Sequence, residues 1–317
     1  MRMLFLFLGL LFAGKLLAAD SAYVEIQDTL HTSTGDLYGS LTLPVKGKGK
    51  MPVALLIAGS GPTDRNGNTP LLPGKNNSLL YLAQELAAKG IATLRYDKRG
   101  IAASVGAGVK EEDLRFDHYV VDAKAWVAQL RKDPRFSQIT IIGHSEGSLI
   151  GMLAADGADR FVSLCGAGIT ADSLIRKQLA GIPPAVRESA YQTMDSLKQG
   201  MLVQKPSIFL MSLFRPSVQP YMISWFRHDP KKAIAALTIP VLIAQGDNDA
   251  QVSVSDAETL KAACPKAQLL LLKDMNHVLK VVESKDPKIN QQAYSDPSLK
   301  VAPKLVSAIA VFIRKGK

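Results

Sequence analysis

Residues 139–151 constrain the chain more than any other stretch. Ile139, Thr140, Ile141 and Ile142 form a β-branched run, Gly143-His144-Ser145-Glu146-Gly147 follows as a G-x-S-x-G pattern, and Ser148-Leu149-Ile150-Gly151 opens a helix. A serine on so sharp a strand-to-helix turn takes strained torsions that lift its Oγ clear of the sheet edge. Side chains two positions away on either side would collide, so glycines are required at 143 and 147. The backbone N–H of Glu146 begins the following helix and points where an oxyanion would form.

The rest of the chain alternates short β-rich apolar runs with amphipathic helical stretches, the pattern of an α/β fold with a mainly parallel sheet. Strands are expected at 22–27, 37–43, 53–58, 91–96, 139–142, 161–165, 241–244 and 268–272, the first two as an opening antiparallel pair. Helices are expected at 79–88, ending at Gly90, at 119–131, before Asp133-Pro134, and at 253–263, before Pro265. A closing amphipathic helix is expected at 305–313. Residues 170–236 break the alternation. They carry helical patterns punctuated by Pro183-Pro184, Pro206, Pro216, Pro220 and Pro230, with no strand, and read as a cap insertion over the sheet. Phe214 and Trp225, within a set that includes Phe209, Met211, Tyr221, Met222 and Phe226, are its candidate substrate-binding residues.

With 317 residues, 47% of them hydrophobic and 21% charged, the chain is neither disordered nor low-complexity. Residues 1–19 combine Arg2, an apolar run from Leu4 to Gly14, and small Ala18 and Ala19 before Asp20. That is the layout of a cleaved secretory signal, too short before Lys15 for a membrane span. Export to the periplasm or beyond is therefore expected, with one domain at 20–317 and no stable membrane insertion once the leader is gone. Only Cys165 and Cys264 are present, which excludes a disulfide framework, and both read as buried thiols. Lys and Arg exceed Asp and Glu, 38 to 28, but no basic helix, aromatic-interleaved patch or nucleic-acid motif accompanies that excess. No H-E-x-x-H or Cys/His cluster suggests a metal, and no G-x-x-x-x-G-K-[ST] or G-x-G-x-x-G suggests a phosphate-bearing cofactor.

A serine hydroxyl is a weak nucleophile; it needs a base, and the base needs an orienting acid. Behind an elbow of this kind the acid and then the histidine follow in the chain. Only His228 and His277 come after Ser145. His228 lies inside the insertion, whereas His277 follows the last strand in a loop at the carboxyl edge of the sheet, where a catalytic base belongs. Asp247 and Asp249 both follow the strand at 241–244 and both qualify as the acid by location.

At this point the chain resembles the α/β-hydrolase superfamily, in its serine esterase and S33-like aminopeptidase branch, over residues 22–314. The acid loop of that family reads G-x-x-D-x-x-V, matched by Gly246, Asp249 and Val252, so the resemblance implies Asp249 as the acid and Asp247 as a turn residue. The family's oxyanion loop often begins His-Gly. Here Ala58-Gly59-Ser60-Gly61 stands in that place, which implies the N–H of Ser60 as second donor, with Gly61 as the alternative. Asp64 and Arg65 are expected to hold this loop in shape by a mutual or backbone contact. A D-x-R-G-x-G-x-S loop is matched by Asp97, Arg99, Gly100 and Ser104, with Ala102 where the second glycine is usual, and is expected to scaffold the site. His144 is expected to pack beneath the nucleophile.

The resemblance implies a small-molecule acyl ester as substrate, cleaved through Ser145, His277 and Asp249 by way of an acyl-enzyme. An aminopeptidase-like reaction is the enzymatic alternative and needs an acidic pocket for a free amine. A binding protein on a hydrolase scaffold is the non-enzymatic one, and an intact serine, aspartate and histidine argue against it.

Overall fold

The computed structural model describes residues 22–45, 47 and 49–315, so the segment expected to be a leader lies outside the described residues. The chain opens with a hairpin, β1 (Tyr23–Thr32) and β2 (Gly35–Pro44), and continues through β3 (Met51–Ile57), α1 (Ser78–Ala88) and β4 (Ala92–Tyr96). Helix α2 (Phe116–Lys132), β5 (Phe136–His144), α3 (Glu146–Leu153) and β6 (Arg160–Leu164) follow. Between β6 and β7 the regular elements are helical: α4 (Ala171–Gln178), α5 (Pro184–Lys198), α6 (Met211–Phe214), α7 (Gln219–Phe226) and α8 (Pro230–Ala235). The chain then runs through β7 (Val241–Gly246), α9 (Val254–Ala263), β8 (Gln268–Leu272), α10 (Pro287–Gln292) and α11 (Pro303–Arg314).

The eight strands form one sheet in the order β1-β2-β4-β3-β5-β6-β7-β8. Strands β1 and β2 pair antiparallel, as do β2 and β4, and every other pair is parallel. A strand alternates its side chains between two faces, and the central strands are apolar on both, so each face must be covered. Val53, Leu55 and Ile57 of β3 face one core layer, with Trp126 of α2 and Ile150 of α3. Ala54 and Leu56 face the other, with Leu82 and Leu86 of α1 and Ile309 and Ile313 of α11. The result is the α/β-hydrolase fold, a mostly parallel sheet with helices on both faces.

Connections leave β3 in one direction, through α1 to β4, and return past it through α2 to β5. The sheet therefore reverses between β3 and β5, and the loops at their carboxyl ends open a crevice there. Those loops begin at Ala58 and Ser145.

Every expected strand is present, but the ends differ. The first was expected to stop at 27, whereas β1 continues to Thr32, pairing residue for residue with β2 as far as Gly35. As an edge strand exposed over much of its length, β1 carries Gln27, Asp28 and His31 where a buried strand would show apolar residues.

Candidate active site

Ser145 sits between β5 and α3 at φ 55° and ψ −121°, outside the regions that side-chain-bearing residues prefer. Its neighbours show why glycine flanks it. A Cβ on Gly143 would lie 2.1 Å from the Gly147 carbonyl oxygen, and one on Gly147 would lie 2.3 Å from that of Ile57. The Ser145 N–H donates to Leu164 O at 2.9 Å, tying the turn to β6. Among the described residues Ser145 Oγ makes no hydrogen bond.

The loops after β7 and β8 bring Asp249 and His277 together, with Nδ1 of His277 2.8 Å from Oδ2 of Asp249. Side-chain exposure is 5% for the histidine and nil for the aspartate. Burial opposes the charge on Asp249, but the His277 ring and the N–H groups of Val252 and Gln251 outweigh it, holding the carboxyl down at about 2. An ionised carboxylate only accepts, so Nδ1 carries the proton and Nε2 is left as a base. The two loops touch closely: a Cβ on Gly246 would lie 1.9 Å from the Met275 carbonyl oxygen. Asp247 accepts from the N–H of Asp274 at 2.6 Å, stabilising the turn before His277.

Three polar side chains support this pair in ways the sequence did not display. Gln245, buried at the end of β7, donates through Nε2 to Asp249 Oδ2 at 3.0 Å and to Val252 O at 2.9 Å. Its one signal was a polar residue closing an otherwise apolar strand. His144 reaches across to the base loop, its Nε2 donating to the His277 carbonyl at 2.8 Å. Burial and the nearby His277 push His144 down to about 4, so it is a neutral donor at neutral pH. Cys165, also buried, borders Asp249, and its thiol is pushed well up by burial and by that carboxylate.

His144, Cys165 and His277 place their ligand atoms within 4.8 Å of one another. The first donates to a carbonyl, the last pairs with Asp249, and the thiol between them resists the ionisation that metal binding needs. The cluster reads as hydrogen-bonded support for the His277 loop. Both cysteines are free thiols.

On the other side of Ser145 lies the loop after β3. A Cβ on Gly59 would meet the Ser145 Cβ at 3.2 Å, so this backbone passes close beside Ser145. Ser60, Ser145 and Glu146 line a cavity of about 510 Å³. The helical segment between β6 and β7 supplies much of its apolar wall, through Ile175, Leu213, Met222 and Trp225. Trp225 is held by parallel stacking on Phe116, with centroids 5.9 Å apart. Phe214, expected beside it as a substrate contact, does not line the cavity. It is fully buried in the core, while its neighbours Leu213 and Arg215 face the space. Composition singled out Phe214, but the phase of the short α6 turns it inward. His277 is likewise not among the lining residues.

Two charged residues line the cavity, and both are paired. Arg215 forks onto Glu111. Glu146 binds Lys98 at 3.1 Å and accepts from the Tyr221 hydroxyl at 2.8 Å. The scaffolding loops also differ in detail from expectation. Asp64 does cap its own loop, accepting from Asn66 N–H at 2.8 Å and Asn68 N–H at 2.9 Å, but Arg65 pairs instead with Asp97 of the next loop at 2.8 Å. Ala102 adopts φ 46°, the left-handed backbone for which glycine is the easier residue.

Comparisons with known proteins bear on the fold and the kind of family. The family description "Serine aminopeptidase, S33" matches residues 75–231. Over 262 residues the chain is 29% identical to Esterase EstD of Thermotoga maritima, a match that covers 77% of this chain but only 58% of that protein. Among solved structures, Est1E from Butyrivibrio proteoclasticus superposes with a TM-score of 0.57 at 17% identity, over 91% of this chain and 99% of that one. A thermophilic esterase from Thermogutta terrifontis does so with a TM-score of 0.54 at 15% identity, over 92% and 98%. At such identities these likenesses speak to the fold.

The His144 environment generates a pH prediction. The folded chain resists protonating this ring until about pH 4, whereas the unfolded chain takes up the proton near 6.5. Its contribution is present in full above pH 6.5 and is lost as pH falls toward 4, by up to about 3 kcal/mol. Asp249 adds to the loss only below about pH 5, and equally in wild type and in His144→Gln, so the difference between them reports His144. His144→Gln keeps an amide donor for the His277 carbonyl and removes the titration. Its urea midpoint should fall less steeply than wild type between pH 6.5 and 4, and parallel slopes would contradict the assignment.

Proposed function

We propose that this chain, which has the α/β-hydrolase fold, is a serine hydrolase of that superfamily and hydrolyses carboxylic esters of small molecules through Ser145, His277 and Asp249. His277, oriented by Asp249, takes the proton of Ser145 through Nε2 as Oγ attacks the acyl carbonyl. The N–H groups of Ser60 and Glu146 receive the negative charge that develops on the carbonyl oxygen. His277 then protonates the departing alcohol, and water cleaves the acyl-enzyme with the same groups in reversed roles.

The observation that carries the ester reading over the aminopeptidase alternative is the state of charge in the cavity. A free α-amine needs an unpaired carboxylate. Glu146 is the one acid among the lining residues, and it is already neutralised by Lys98. An apolar wall with no free anion suits an uncharged acyl group. The relatives named as esterases support the same reading. Export, from the 1–19 leader, belongs to this proposal as well.

Ser145→Ala should reduce turnover of p-nitrophenyl esters by on the order of 10⁶-fold. In the wild type, esters across a chain-length series should be hydrolysed while aminoacyl-p-nitroanilides are left intact; the reverse preference would favour the peptidase. Protein recovered from a bacterial host carrying the full gene should begin at or near Asp20 on N-terminal sequencing. An intact Met1 would refute the cleaved leader.

A further inference from the structure

Lys98 follows β4, yet its ammonium is buried beside the nucleophile, with its side chain only 1% exposed. Three groups surround it. Nζ donates to the Gly59 carbonyl at 2.6 Å and to Glu146 Oε1 at 3.1 Å, and it stands 4.9 Å from the centre of the Tyr119 ring. Glu146, 2% exposed, is held from the far side by the Tyr221 hydroxyl. Burial and the Glu146 charge push that hydroxyl well up from its ordinary value, so it remains a donor.

The Gly59 carbonyl and the Ser60 N–H belong to one peptide unit. A trans peptide points its C=O and N–H in opposite directions, so fixing the oxygen fixes the direction of the N–H. Ser60 and Ser145 line the same cavity, and a Cβ placed on Gly59 would reach within 3.2 Å of the Ser145 Cβ, so the loop backbone lies beside Ser145. An ammonium on the carbonyl oxygen also polarises the peptide and makes its N–H a stronger donor.

We infer that Lys98 is the positioning residue of the oxyanion hole. Its ammonium anchors the Gly59–Ser60 peptide so that the Ser60 N–H faces the developing charge. Glu146 then serves twice, offering its own backbone N–H as one donor and holding, through its carboxylate, the lysine that sets the other. Tyr221 carries the connection into α7, so the helix that walls the cavity also braces the hole. This inference rests on reading Ser145 as the nucleophile.

The test is Lys98→Met combined with Glu146→Gln, which removes both charges together and leaves neither buried alone. Kinetics on p-nitrophenyl butyrate are read beside the Kd of butaneboronic acid, which forms a tetrahedral adduct on an active serine. Deleting an oxyanion donor outright costs about 10²–10³-fold, so loosening one should lower kcat by about 10–10²-fold with KM little changed. Boronate affinity should fall in parallel, while the fraction of protein that reacts with a fluorophosphonate stays as in wild type. A purely structural role would instead lower that reactive fraction or raise KM. Tyr221→Phe, which removes only the outer brace, should show the same parallel loss at roughly two- to fivefold, and this decides the matter if the double variant does not fold. Wild-type turnover with kcat and boronate Kd unchanged in the variants would overturn the role of Lys98 alone. A wild type with no ester turnover would remove the nucleophile reading, and this inference with it.

Discussion

Holding a serine at φ 55° and ψ −121° costs of order 1–3 kcal/mol, and that conformation persists only because its surroundings leave no other. Strand β5 delivers the chain to the turn, the Leu164 carbonyl fixes the Ser145 amide, and α3 begins at the next residue. Gly143 and Gly147 allow the close approaches this geometry demands, to Gly147 O and Ile57 O respectively. The arrangement depends on β3 being the direct neighbour of β5: Ile57 pairs with Gly143 across those strands, and its carbonyl is what Gly147, at the start of α3, closely approaches. The sheet order and the strained serine are in this sense one constraint.

What surrounds the serine is polar, buried and largely paired within the protein, although Gln245 Oε1 has no hydrogen-bond partner among the described residues. Asp249 takes donors from His277, Gln245 and two backbone amides; His144 supports the His277 backbone; Lys98 and Glu146 neutralise one another beneath the β3 loop. The cavity in front is mostly apolar. Dipoles fixed in advance in a water-poor site stabilise developing charge without having to reorganise, the condition under which electrostatic catalysis is strongest.

Much of this was legible in the sequence, for identifiable reasons. Every strand combined β-branched or apolar residues with a Gly, Pro or Asp boundary, and the G-x-S-x-G pattern announced its own turn. His277 could be placed because it followed a strand at the carboxyl edge of the sheet, whereas Asp249 shared that location with Asp247 and was singled out only by the resemblance to a G-x-x-D-x-x-V loop. The rest depends on contacts that no local pattern encodes. Lys98 and Gly59 lie in separate loops and meet only because β4 and β3 are neighbours. The end of β1 was invisible because an edge strand does not need an apolar face. Phe214 had the expected composition, but the phase of a four-residue helix decided against it.

The account turns on Ser145 being a nucleophile, and the most direct measurement is the site of covalent modification by a fluorophosphonate. Peptide mapping by mass spectrometry of the labelled, folded protein should place a single adduct on Ser145. An adduct on a different serine, such as the adjacent buried Ser148, or no adduct at all on folded protein, would contradict it.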